Sequence, residues 1–305
     1  MGEDGTVALV AGRSTATIDR RGASLRAVRL DGIDTIQPLP AEADPALAAG
    51  AVLFPWPNRV RGARWLLRGE ELRLEVTEPA AGNALHGLVL RECFEVVERA
   101  PSMVRLRTVV NHHPGYPFTL SLEVEYRLAG DGLEVEMRAV NLGAQEAPVA
   151  LGAHPYLCVG AQDVAELVLE IPAAQSLLLG PDHLPRELID VHCGPFDLRD
   201  GSPVRDMPGH AVYTDPAPRT ESARIERRLH GREGTVMLWS DRWLHWTQVY
   251  RTEAFPAVEG GETVTALAVE PMTAPPDALS SGVDLEWLAP GAEWTVRWGL
   301  EREQA

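Results

Sequence analysis

Residues 119–140 read TLSLEVEYRLAGDGLEVEMRAV. Leu120, Leu122, Val124, Tyr126 and Leu128 alternate with Ser121, Glu123, Glu125 and Arg127. After the turn Ala-Gly-Asp-Gly at 129–132, Leu133, Val135, Met137 and Ala139 alternate with Glu134, Glu136 and Arg138. Successive side chains on a strand point to opposite faces, so each run has one apolar and one polar side. Two such runs across a Gly/Asp turn predict an antiparallel hairpin packed on a core along one face.

Working outward, the same period of two recurs at Leu72, Leu74 and Val76, at Leu167, Leu169 and Ile171, and at Val296, Trp298 and Leu300. Helical spacing is scarce: only Ala41–Ala51 and a turn around Ala278–Leu279 could be helical. Many short strands punctuated by Pro and Gly predict an all-β fold. With no repeat and no linker rich enough to divide the chain, one large twisted β-sandwich over 1–305 is expected, its ends frayed at about 1–6 and 301–305.

The formal charge of −16 disfavours nucleic acid and anionic membrane as partners. All 28 basic residues are arginine. The lack of lysine excludes Schiff-base chemistry, lysine-anchored pyridoxal phosphate and a P-loop. Cys93, Cys158 and Cys193 are odd in number and far apart, which suits thiols in a reducing compartment. The acidic N-terminus has no apolar h-region, and the apolar stretch from Ala46 to Pro57 is too short to cross a bilayer. A cytoplasmic protein is expected.

Four short motifs lie at strand ends or in loops. In Phe54-Pro-Trp-Pro-Asn-Arg-Val60, two prolines hold Asn58 and Arg59 rigidly, and Trp56 could offer an apolar plate to a sugar ring. In Asn83-Ala-Leu-His-Gly87, the glycine permits close backbone approach beside His86. In Gly152-Ala-His-Pro-Tyr-Leu157, Pro155 forces His154 to be extended and places Tyr156 on the same side of the chain. Glu270 ends the apolar run Thr265–Val269, and Pro271 is expected to stop the ladder there. A carboxylate so placed loses hydration, which raises its pKa and suits it to act as a base near neutral pH; His154 suits general acid work. Bland roles (a turn cap, a surface salt bridge for Arg59, a satisfied histidine) compete for each residue taken singly. His112 and His113 are adjacent, so on an extended segment they would point apart, and no His or Cys spacing matches a metal site. Arg219 to Arg232, interleaved with glutamates, reads as a solvated charged strand.

Together and in this order, the four motifs resemble the aldose 1-epimerase (mutarotase) family. Gly115-Tyr-Pro-Phe118, Val212-Tyr-Thr-Asp215 and Leu288-Ala-Pro-Gly291 add to the likeness, which runs from about 50 to 300 and is nearest to bacterial sugar-operon mutarotase-like proteins. The resemblance implies a galactose-mutarotase-like β-supersandwich with an open carbohydrate groove and neither metal nor cofactor. It implies that Glu270 takes the proton of the anomeric hydroxyl and that His154 protonates the ring oxygen. Arg59 and His86 would hold hydroxyls, and Tyr156 would line the pocket. One departure is visible: where the family usually carries a sugar-binding Asp, this chain has Pro208-Gly-His210, leaving His210 or Asp215 to take its place. An unphosphorylated aldose is the expected substrate, bound by a monomer or homodimer. The alternatives are a non-catalytic sugar sensor on the same fold and a hexose-6-phosphate epimerase. A glycoside hydrolase would need two facing carboxylates, and only one is found.

Overall fold

In the computed structural model, residues 5–40, 47–192, 194–216, 224–258 and 262–304 are described. They form two large, mainly antiparallel sheets of twelve and nine strands, with three two-stranded ribbons beside them. The hairpin read from 119–140 lies inside the nine-stranded sheet, as its third and fourth strands. Strands Tyr116–Leu128 and Gly132–Asn141 pair antiparallel from Leu120↔Asn141 to Leu128↔Leu133. Leu120, Leu122, Val124, Tyr126, Leu133, Val135 and Met137 are all buried, as the alternation requires. They meet the inner face of the twelve-stranded sheet in one continuous core that includes Leu9, Ile18, Leu267 and Val269.

Three local expectations are corrected. Leu72 lies in a four-residue strand, Glu70–Arg73, but Leu74 and Val76 follow it outside any strand, and Val76 is exposed. The chain leaves the ladder there to pass under Gly115, whose carbonyl accepts the Trp65 indole N–H at 2.8 Å. The C-terminus is not frayed at 301: the strand Glu293–Glu303 runs on, paired with both Gly132–Asn141 and Gly234–Ser240. Of Ala41–Ala51, residues 41–46 lie outside the described part and 47–51 form turns rather than an α-helix. Ala278–Ser281 is a one-turn helix, as expected. No helix among the described residues is long and apolar enough to cross a membrane.

The charged strand carries a surprise. Residues Ile225–Gly231 do form a strand, but Arg227 is completely buried. Its guanidinium donates to Thr247 Oγ1 (2.8 Å), Ser240 Oγ (2.7 Å) and the carbonyls of Leu244 (2.8 Å) and Ile225 (3.3 Å). Its partners among the described residues are all neutral acceptors, and burial lowers its pKa to about 9. The inward face of the pleat captured this side chain, and hydrogen bonds took the place of solvent.

The strand Thr263–Met272 decides where chemistry can occur. It lies inside the twelve-stranded sheet between Trp246–Pro256 and the short strand Tyr156–Leu157. Leu267 and Val269 point into the main core, so Ala266, Ala268 and Glu270 point to the sheet's outer face. That face is covered by the segments around 47–60 and 84–88, which is why Glu270 is only 2% exposed.

Candidate active site

Glu270 lies within its strand rather than at its end: pairing continues through Thr247↔Pro271 and Trp246↔Met272. Pro271 is tolerated because of a gap on the strand's other side. The amides of Val269 and Thr273 donate there, to Pro155 O (3.1 Å) and Leu151 O (2.8 Å). Residue 271 faces the same way, towards the break between the short strands Gly152–Ala153 and Tyr156–Leu157. A proline has no N–H to waste in such a break. His154 sits in that break, so one irregularity leaves room for Pro271 on one side and sets His154 beside Glu270 on the other.

His154 is held by its own backbone, which accepts from Gly50 N (2.8 Å) and donates to Ala51 O (3.0 Å). Its ring stacks on Tyr156 (5.1 Å between centroids, 25°) and meets His86 edge-on at 5.2 Å. Its Nε2 lies 3.3 Å from Glu270 Oε1. Both side chains are buried, and neither His154 Nδ1 nor Glu270 Oε2 has a partner among the described residues.

Asn58 and His86 are tied to one another. His86 N donates to Asn58 O (2.9 Å), and Asn58 N donates to His86 Nδ1 (3.3 Å). Both have left-handed backbones, with φ of 55° and 61°. Gly87 follows at φ 77°, where a Cβ would stand 2.1 Å from Phe54 O and 2.4 Å from Phe54 C. Gly87→Ala is therefore expected to cost about 3 kcal/mol of stability or more, from the clash and the left-handed backbone together. A thermal melt of the variant within a degree of the parent would show that the close approach does not constrain the fold.

Arg59 reaches the cleft but is already engaged: Nε and Nη2 grip the Glu78 carboxylate at 2.7–3.1 Å. Asn83 Nδ2 steadies the same carboxylate at 3.0 Å. Gln248, cross-strand from Glu270, accepts from Asn58 Nδ2 (3.0 Å) and donates to Ala211 O (3.0 Å).

These groups line one open cleft of about 200 Å³ with Leu47, Leu85, His183, His210 and Tyr250. That is smaller than the roughly 300–1,000 Å³ of drug-sized sites and suits a single small polar ring. Asn58, Arg59, His86, His154, Tyr156, His210 and Glu270 are thus brought together. Asp215 lies in the strand His210–Pro216, but its side chain is outside the described residues. Trp56 is a correction: it is 1% exposed, packs on Tyr116 at 5.9 Å and lines a separate hollow with Leu74 and Leu88. Its large apolar area is buried between the sheets instead of facing a sugar. His112 is corrected too, because a bulge at φ 47° breaks the extended geometry assumed for the pair; neither it nor His113 lines the cleft.

Gln248, Tyr250 and His183 were not singled out from sequence. Gln248 and Tyr250 are two apart on Trp246–Pro256, so the strand period could have placed them beside Glu270 once the pairing was known. His183 follows a Gly-Pro-Asp turn and carries no comparable signal.

Burial dominates the electrostatics. It pushes Glu270 well above the usual carboxylate range, opposed by Arg59. It lowers His154 to about 4 and His86 well below its usual value, the latter helped by the neighbouring His154 and Arg59. His210 falls to about 3 through burial and the nearby His183. As pH drops below about 6.5, the unfolded chain protonates these imidazoles first, so their contribution is present above 6.5 and lost towards 4. Each can supply a slope of up to about 1.4 kcal/mol per pH unit. Glu270 acts oppositely, since the fold keeps its proton above the pH where the free acid loses it. Three imidazoles outweigh one carboxyl, so the melting temperature is expected to fall as pH is lowered from 6.5 to about 5. A flat calorimetric profile over that interval would contradict the burial argument.

His86, His154 and Glu270 also place one potential ligand atom each within 4.8 Å of one another. The tautomer argues for hydrogen bonding instead. His86 Nδ1 accepts the Asn58 amide, so neutral His86 carries its proton on Nε2, whereas a metal ligand normally donates through its second nitrogen.

Known proteins resemble this chain over most of its length. A family model described as aldose 1-epimerase matches residues 6–301. The uncharacterised Escherichia coli K12 protein YihR is 33% identical over 289 residues, covering 94% of this chain and 89% of that protein. Among solved structures, a GalM/aldose epimerase homologue from C. elegans superposes with a TM-score of 0.84 at 17% identity, covering 99% of each chain. A galactose 1-epimerase from Lactobacillus acidophilus does so at 0.80 and 16%, covering 98% of this chain and 94% of that one. At those identities the structural likeness speaks for the fold alone.

Proposed function

Because the chain belongs to the aldose 1-epimerase family, we propose that it interconverts the α and β anomers of an unphosphorylated aldose by opening and closing the sugar ring. The observation that carries this reading is the 3.3 Å approach of His154 Nε2 to Glu270 Oε1 at the floor of an open cleft. The anomeric and ring oxygens share one carbon, so a base and an acid this close can serve both at once.

In the working form, the Glu270 carboxylate takes the proton of the anomeric hydroxyl. The C1–O bond to the ring oxygen breaks as the C1 carbonyl forms, and the ring oxygen takes a proton from His154. Rotation about C1–C2 presents the other carbonyl face. Closure runs the same transfers backwards: His154 takes the proton of the attacking hydroxyl as it re-forms the C1–O bond, and Glu270 gives its proton to the carbonyl oxygen, which becomes the new anomeric hydroxyl. The pair holds one proton throughout. Burial favours the neutral arrangement, protonated Glu270 beside neutral His154, while polar sugar hydroxyls favour the ionic one. Activity should fall on both sides of an optimum, since the doubly protonated pair has no base and the proton-free pair has no acid. The two limbs of this bell belong to the pair jointly. A kcat/KM that is level across the accessible pH range would rule out a shared proton.

Arg59 supports an unphosphorylated substrate. It is the one arginine lining the cleft among the described residues, and Glu78 already neutralises it. The direct test is NMR exchange spectroscopy on a panel of aldoses, with freshly dissolved pure anomers followed by polarimetry. Saturable sugar binding without faster equilibration would favour a sensor, and acceleration confined to hexose 6-phosphates would favour the phosphorylated substrate.

A further inference from the structure

One wall of the cleft holds two imidazoles that proton transfer at C1 leaves unused. His210 opens the strand His210–Pro216, and His183 sits in the turn between Ala173–Leu179 and Pro185–Asp190. Their Nδ1 atoms are 2.8 Å apart, with ring centroids at 4.6 Å. Two bare lone pairs would repel at that distance, so one Nδ1 carries a proton and the other accepts it. If His183 is the donor, His210 carries its hydrogen on Nε2 and can donate to a bound molecule. If His210 is the donor, its Nε2 is a bare acceptor. The charge is the same in both cases.

The surroundings leave this choice open. Arg59 and Glu78, whose charges act on His210, satisfy one another, and Asp182, the residue before His183, is paired with Arg186 at 2.8 Å. The Tyr250 ring stands edge-on to His210 at 5.5 Å and fixes its plane. The turn holds His183 by His183 N donating to Gly180 O (2.9 Å), with φ 58°, a left-handed value that a histidine adopts at some cost.

We propose that the His183–His210 couple determines sugar specificity: His210 Nε2 meets one sugar hydroxyl, and His183 is the positioning residue that lets it present either a donor or an acceptor. The inference rests on the anomer-exchange reading of the same cleft. A hydroxyl can then be met in either orientation, so epimers differing at that carbon should be handled comparably, whereas a fixed acceptor would discriminate between them.

The test compares His183→Gly and His183→Asn, both suited to φ 58°. Asparagine keeps a group near the Nδ1 position that can donate or accept; glycine keeps none. In anomer-exchange NMR with glucose, galactose and mannose, the glycine variant should raise KM about five- to tenfold for the best substrate, with kcat within about twofold. Asparagine should restore KM to within about twofold of the parent. His210→Leu should reproduce the KM rise, and the double variant should add nothing to it. Long-range ¹H–¹⁵N spectra should show the His210 ring as a tautomer mixture in the parent and a changed mixture in the glycine variant. An unchanged KM, a fall in kcat alone, failure of asparagine to rescue, or additive effects would each overturn the proposal. If the parent protein does not accelerate exchange, calorimetric binding of the same three sugars to the same variants still reads the couple. Weakening by His183→Gly with rescue by His183→Asn upholds it, and sugar affinity that ignores both substitutions, or is absent, overturns it.

Discussion

Glu270→Gln is expected to lower kcat for anomer exchange by about a thousandfold, within the range that general base catalysis contributes. The substitution keeps the shape of the side chain and removes only the capacity to accept a proton. Glu270 is 2% exposed, and burial favours its neutral form, which glutamine imitates closely. The fold should therefore be undisturbed, and the melting temperature at neutral pH should match or exceed that of the parent. KM should change little, because the neutral group can still meet the anomeric hydroxyl. Polarimetry of a pure anomer, read beside a thermal melt, checks both halves of this expectation. Retention of more than about a tenth of the parent rate by a folded variant would remove Glu270 from the base role.

His154→Asn should cost about a hundredfold or more in kcat, through loss of the proton donor to the ring oxygen. Here stability should also suffer. The imidazole stacks on Tyr156 and meets His86, so its truncation leaves a small cavity between two rings and costs about 1–2 kcal/mol. Rates must be compared well below the variant's melting temperature to separate the two effects. The pH profile adds a sharper criterion. With His154 gone, the limb due to loss of the shared proton should disappear from the bell, leaving a single limb for Glu270. A two-limbed profile with near-parent kcat would mean that another group supplies the acid.

Residues differ in how far their neighbourhood could be read in advance. His154 was legible because Pro155 dictates its backbone and Tyr156 follows on the same face, and the two rings do stack. Glu270 was legible as a polar end to an apolar run, but its place was not: the ladder with Trp246–Pro256 continues past Pro271, and the proline is tolerated because the neighbour on the strand's other side is interrupted there. Trp56 was misplaced because its motif gives the stiffness of the segment and not the side that faces the core. Arg227 was misplaced because charge interleaving says nothing of whether hydrogen-bond acceptors wait on the inner face.

Alternation of apolar and polar residues, by itself, determined that this chain forms layered antiparallel sheets, since period two is a local property of the pleat. Four motifs likewise marked the side chains with chemistry to offer. Which of them share a cleft was decided only by the tertiary structure. Strand register sets Gln248 against Glu270, and a turn between two other strands brings His183 to His210. Such meetings depend on partners far away in the chain, where no local spacing can record them.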